Sequence, residues 1–173
     1  MAKITIKNVR LSFPSLFSKA VFQGAETKYE ATLLIDKTTG ANDIKNIKAE
    51  IAAMLAEHKV KLPADKICLK DGDEMEYDGY AGTMSLKASN KTRPMVVNKD
   101  KSPIVEDDNI IYSGCYVNAV VSLWFQNNAY GKRVNCSLEA VQFAKDGQPF
   151  GDGGSKASLD DFDILDDGDS EGF

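Results

Sequence analysis

Histidine is almost missing from this 173-residue chain, with His58 as its single instance, and the three cysteines, Cys68, Cys115 and Cys136, are never closer than 21 residues. Zinc centres need cysteines or histidines paired at short spacing, so no metal site of that kind is expected. The odd, scattered cysteines give no disulfide framework and fit a reducing compartment. No apolar run approaches the roughly 18 residues a membrane-spanning helix requires, and Lys3, Lys7 and Arg10 interrupt the N-terminal stretch. Neither membrane insertion nor a secretion leader is expected. A glycine-rich phosphate cradle and a nucleophile elbow are also missing, which removes two common signatures of enzymatic hydrolysis.

Acids are missing from particular places. The formal net charge of −5 comes from 21 Lys+Arg and 26 Asp+Glu, but it averages two unlike parts. Gly151 to Phe173 carries eight acids and one base, Lys156, for a charge of −7, which leaves the preceding body at +2. Within the body no acid occurs in the first 25 residues, from Gly79 to Lys99, or from Asn109 to Leu138. These stretches hold Lys3, Lys7, Arg10 and Lys19, then Lys87, Lys91, Arg93 and Lys99, then Lys132 and Arg133. If they converge, the body has one positive face.

What is present is mostly strand. Lys3 to Phe13 alternates through Ile4 and Ile6 and then shifts phase to Val9, Leu11 and Phe13, as a bulge near Asn8 would require. Tyr29 to Asp36 reads as a second strand. One helix is expected from about Asn42 to His58, because Ile44, Ile47, Ile51, Met54, Leu55 and His58 form a stripe at 3.6-residue spacing, with Asn42 or Asp43 as N-cap. Gly79 to Ala88 and Arg93 to Asn98 flank the polar turn Ser89-Asn90-Lys91-Thr92, which predicts a hairpin. Gly114 to Asn127 and Lys132 to Lys145 predict a longer one around residues 127–131. At least six strands, short links and one helix point to a small antiparallel barrel.

Parity along Gly114 to Asn127 separates two faces. Cys115, Val117, Ala119, Val121, Leu123 and Phe125 make an apolar face for the barrel interior, while Tyr116 and Trp124 stand among small polar residues on the other. Rings on a surface without carboxylates accept unstacked bases, and cations nearby accept phosphates. The candidate nucleic-acid contacts are therefore Tyr80, Lys87, Lys91, Arg93, Tyr116, Trp124, Tyr130, Lys132 and Arg133. Phe13-Pro-Ser-Leu-Phe is read mainly as core. Catalysis finds little support: His58 lies on the helix stripe, and the five acids between Asp71 and Asp78 lack calcium-loop spacing and read as a turn.

After Phe150, glycine, serine and repelling carboxylates predict a disordered segment. It is not plain acid. Leu159, Phe162, Ile164 and Leu165 interleave with Asp160, Asp161, Asp163, Asp166 and Asp167, and Phe173 ends it on a ring beside the α-carboxylate. Such a tip fits a small apolar pocket rimmed by cations on a partner protein.

Four stretches carry a family resemblance: Lys28-Tyr-Glu-Ala-Thr-Leu-Leu-Ile-Asp; Asp78-Gly-Tyr-Ala-Gly-Thr-Met-Ser-Leu-Lys-Ala-Ser-Asn-Lys-Thr-Arg-Pro; Tyr112-Ser-Gly-Cys-Tyr-Val-Asn-Ala; and the Asp-rich end closing on Phe173. With them the chain resembles the bacteriophage single-stranded DNA-binding proteins. The resemblance implies a mainly β, OB-fold-like antiparallel barrel with extended hairpins and one α-helix over residues 1–150, and a disordered acidic tail over 151–173. It implies a protein that is not an enzyme and needs no cofactor. Such a protein coats and protects single-stranded DNA without strong sequence preference during phage replication or recombination, in the cytoplasm of the infected bacterial host. The tail would recruit replication or recombination proteins and restrain DNA binding, although Gly172 stands where phage tails commonly carry Asp. No membrane partner is implied, and self-association into a homo-oligomer stays open. The rival readings are a metal-dependent phage nuclease or processing enzyme using the Asp71 to Asp78 acids, and a virion-associated structural protein.

Overall fold

The alternating N-terminal stretch is strand β1, Lys3–Ser15, in the computed structural model, which describes residues 3–77 and 79–150. Its pairing slips between Ile6 and Val9, and Asn8 there has φ 54°, a left-handed conformation that asparagine tolerates. The bulge lets Ile6, Val9 and Leu11 all reach the interior, as the phase shift predicts.

A short hairpin, β2 (Val21–Phe22) with β3 (Ala25–Glu26), leads into β4, Tyr29–Asp36. The Asp36 carboxylate ends that strand by accepting the backbone N–H groups of Thr38 and Thr39, at 2.8 and 2.9 Å. Helix α1, Ala41–Glu57, follows with Gly40 as its N-cap, not the expected Asn42 or Asp43. The turn around Asp36 reverses the chain earlier than the helical stripe suggests. Gly40 fits because a Cβ there would meet the Ile35 side chain. Ile44, Ile47 and Ile51 pack into the core, each contributing about 1.5–3 kcal/mol.

The remaining strands are β5 (Leu69–Asp71), β6 (Thr83–Asn90), β7 (Met95–Val97), β8 (Tyr116–Asn128) and β9 (Gly131–Lys145). They form one sheet in the order β5-β6-β4-β1-β8-β9-β7, closed by a parallel pairing of Ser89 on β6 with Ser137 on β9. The result is the expected mainly β architecture: a closed five-stranded barrel of the OB type, with β5 and β7 added outside it. Cys115, Val117, Ala119, Val121 and Leu123 are buried inside, as the parity of β8 predicts. Among the described residues no helix is long and apolar enough to cross a membrane.

One expected hairpin is absent. β6 does not pair with β7; it runs between β4 and β5, and β7 lies parallel to β9. Both edges of β6 are occupied, so after Asn90 the chain crosses to the free edge of β9. The β8–β9 hairpin does form, but its ladder continues to Asn128 opposite Gly131 and leaves a two-residue turn instead of a five-residue loop.

Phe150 is the last described residue and is buried against Leu34 and Tyr80 on the outside of the barrel. Gly79, at φ 84°, faces the Phe150 ring with no room for a Cβ, which fixes that seat for glycine. The tail expectations, from Asp160 to Phe173, lie outside the described residues.

Candidate nucleic-acid interface

Strand register determines which side chains share the outer face of the barrel. One row across the sheet is Ser12, Thr32 and Lys87; the next is Tyr116, Arg10, Leu34, Ser85 and Lys70. At the β6 side of these rows lies a groove of about 280 Å³ lined by Lys66, Lys70, Lys87 and Arg133, with the hydroxyls of Thr32, Ser85 and Ser89. Phosphate recognition needs such charges and donors without fixed spacing.

The seam of the barrel forms one wall of this groove. β6 and β9 touch at Ser89 and Ser137 and then diverge, and the chain around Cys68 fills the gap. The Cys68 N–H donates to the Val134 carbonyl at 3.0 Å, and the Cys68 carbonyl accepts from the Lys87 N–H at 3.2 Å. A single residue thus bridges the two strands.

Two acids approach these cations. Lys87 lies 3.3 Å from Glu30, with its side chain 68% exposed, so solvent screens the pair and a phosphate can compete for the ammonium. Asp65 lies in the groove lining, where its backbone carbonyl accepts a hydrogen bond from Arg133 at 3.4 Å.

The expected contact residues do not all gather here. Lys87 and Arg133 do. Lys132 and Tyr130 extend beyond them at the tip of the β8–β9 hairpin, where Tyr130 is 88% exposed. Lys91 and Arg93 are exposed on the crossover after β6, with the Arg93 guanidinium 5.5 Å from the Phe17 ring.

Tyr116 sits at the far end of its row, half-buried, with Arg10 5.7 Å and Lys145 4.8 Å from its ring centre. The Arg10 guanidinium also lies 4.1 Å from the Phe150 ring and donates to the carbonyls of Gly114 and Gln148. Trp124 lines a different groove, of about 510 Å³, between α1 and β8, with Ile4, Met54 and His58 and the carboxylates of Glu50 and Glu57. The expectation of a carboxylate-free surface around Trp124 is therefore corrected: the strand has none, but the helix packed beside it supplies two.

Tyr80 is also corrected. Its ring is buried, and its hydroxyl donates to Ser12 Oγ at 2.9 Å, so it belongs to the packing under Phe150 and offers no face to a base. The exposed rings over it are Tyr77, 5.2 Å from Tyr80, and Phe13, edge-on to Tyr77 at 5.3 Å. Phe13, expected mainly as core, is thus at the surface; φ 47° within the irregular end of β1 turns it outward.

Sequence reasoning missed Lys66, Lys70 and Tyr77. They lie outside the acid-free stretches: Lys66 is next to Asp65, Lys70 next to Asp71, and Tyr77 stands between Glu76 and Asp78. A signal was there: from Lys59 to Lys70 four lysines face the single acid Asp65.

The acidic stretch is occupied by a cation of the chain itself. Lys37 Nζ lies 2.7 Å from Asp71 and 2.6 Å from Asp73, and Asp73 also accepts the Gly82 N–H. The Lys37 hydrogen bonds hold both carboxyls below their usual range. Among the described residues no group of acids, cysteines or histidines could hold a metal ion.

A family model described as Enterobacter phage Enc34, ssDNA-binding protein, matches residues 2–173. The chain belongs to this family. It is 44% identical to a putative protein p50 of Acyrthosiphon pisum secondary endosymbiont phage 1, over 94% of each chain. Among solved structures it is similar to the single-stranded DNA-binding protein from bacteriophage Enc34 in complex with ssDNA, at 35% identity and TM-score 0.78, covering 86% of this chain and 89% of that one. The bacteriophage T7 protein gp2.5 shares the fold, with TM-score 0.54 at 15% identity over 91% of this chain and 99% of that one. The family consists of binding proteins and not of enzymes, so the nuclease reading is set aside.

Proposed function

We propose that this protein coats single-stranded DNA with little sequence preference, holding the backbone in the groove between β6 and β9. The observation that carries the reading is four cations, Lys66, Lys70, Lys87 and Arg133, gathered from three separate stretches onto one hydroxyl-lined groove of an OB-type barrel. Membership of the Enc34 single-stranded DNA-binding family supports it. Contacts to phosphate are blind to sequence, and exposed rings such as Tyr130, Tyr77 and Phe13 add sequence-tolerant stacking. Coating of this kind protects strands and prevents their folding into hairpins during phage replication or recombination, in the cytoplasm of the infected host.

The tail, residues 151–173, restrains this binding and recruits replication or recombination proteins. Its charge of −7 suits the same cations as a polynucleotide does. Proximity supports the competition: Met75 both packs against the Leu34–Tyr80–Phe150 cluster and lines the groove, so the cluster that holds the last described residue borders the groove.

The test is anisotropy of labelled oligo-dT titrated with full-length protein at stepped salt. Binding that weakens log-linearly with salt, by about 0.7 in slope per phosphate contact, is expected; no binding at low salt overturns the reading. Truncation after Phe150 is expected to tighten binding several-fold at low salt, and removal of Phe173 alone to leave it unchanged while weakening partner recruitment.

A further inference from the structure

Two thiols meet in the wall of the cationic groove. Cys68 is half-buried and Cys136 buried, both line the groove, and the Cys68 backbone N–H bonds the carbonyl of Val134, two residues before Cys136. They belong to segments 68 residues apart in sequence, joined at the seam by the Cys68 N–H bond to Val134 and the parallel bridge of Ile67 to Val134. Cys115, the third cysteine, is buried in the barrel beside Tyr112. We propose that Cys68 and Cys136 are an oxidation site, joined by hydroperoxides into a disulfide that staples β9 to the segment closing the barrel.

The asymmetry of the pair supplies the order of events. Hydrogen bonding from Cys136 holds the Cys68 thiol below its usual range, aided by nearby Lys70, while the same contact and burial push Cys136 well above it. Thiolate is the reacting form, so Cys68, the more accessible thiol, attacks first. Its sulfur bonds to one peroxide oxygen, the O–O bond breaks, and the departing hydroxide takes a proton, leaving Cys68 as a sulfenic acid and releasing water. The Cys136 sulfur then attacks the Cys68 sulfur. An S–S bond forms, the hydroxyl leaves with the Cys136 proton as a second water, and two thiols have given two electrons to one peroxide. A thiol reductant reverses the linkage.

This site stands independently of the nucleic-acid reading. Full-length protein, reduced, desalted and treated with hydrogen peroxide, is expected to lose the mass of two hydrogens and, digested without reductant, to yield one peptide pair linking Cys68 to Cys136. Dithiothreitol should restore the starting mass, and the oxidised form should melt several degrees higher, because the bridge closes a long loop. Cys115→Ser is expected to behave like the parent. Cys68→Ser, at a half-buried position that accepts a hydroxyl, is expected to abolish the linkage and leave Cys136 unmodified. A stable oxygen adduct on Cys68 with no loss of hydrogen, a link to Cys115 or to a second chain, or no reaction while a control thiol is consumed would each overturn the proposal.

Discussion

The groove between α1 and β8 has about 510 Å³ and contains the chain's only tryptophan, whereas the groove between β6 and β9 has about 280 Å³ and contains four cations. Ring content and size favour the first for bases, and charge favours the second for phosphates. The proposed function follows the charge, because a polyanion lying along Glu50 and Glu57 meets repulsion while each contact with a lysine or arginine releases a counterion. The His58 ring is stacked on Phe125 with centres 4.0 Å apart, so one face of each ring in the larger groove is already occupied. An aromatic residue becomes a base platform only where the field around it admits the backbone.

The comparison breaks most readily by reversing charge. Lys70→Glu, Lys87→Glu and Arg133→Glu together are expected to weaken oligo-dT binding by two to three orders of magnitude, at about tenfold per charge-assisted contact, and to flatten the salt slope. Glu50→Lys with Glu57→Lys in the other groove should leave affinity within about twofold, all by anisotropy at fixed salt. If the second pair gains or loses more than the first triple, the assignment of grooves is wrong.

Rings sharpen it next. Tyr130→Ala and Tyr77→Ala are each expected to weaken binding at least about fivefold, from the loss of one stack of roughly 1–3 kcal/mol. Trp124 emission should change little on saturation with poly-dT, since the indole borders the acidic groove; strong quenching would return it to the interface. Tyr80→Phe removes the hydrogen bond to Ser12 and should cost about 1 kcal/mol in denaturant unfolding, with DNA affinity unchanged.

The smallest effect concerns the acidic turn. Asp71 and Asp73 have carboxyls held below their usual range by Lys37, so in the folded chain they bind protons less readily than in the unfolded one. Their contribution is full above the ordinary carboxylate range and falls away as pH drops through the lowered values. A thermal melt should therefore lose stability on acidification, and Lys37→Met should lose less over that window.

Much of the fold is legible in the residues. The phase shift at Asn8, the helical stripe of Ile44, Ile47 and Ile51 and the parity of β8 are local patterns with one geometric solution each, and all three hold. What misled was pairing. Polar residues from Ser89 to Thr92 look like a hairpin turn, yet β6 was already flanked by β4 and β5, and no local pattern records which edges are occupied. Half of the groove was legible for a similar reason: Lys87 and Arg133 lie in acid-free sequence, while Lys66 lies next to Asp65 and Lys70 next to Asp71, whose own partner, Lys37, comes from another part of the chain.

By itself the sequence determined most of the longer strands, the helix of the barrel body, the interior face of β8 and the separation of a slightly basic body from an acidic end, because each depends on period or composition. Only tertiary structure decided which charges and rings act together. It brought Glu30 to Lys87, buried Tyr80 beneath Phe150, set Glu50 and Glu57 beside Trp124, and gathered four cations from distant segments at the seam where the barrel closes, since neighbours in a folded sheet are fixed by register and closure, which no stretch of chain specifies alone.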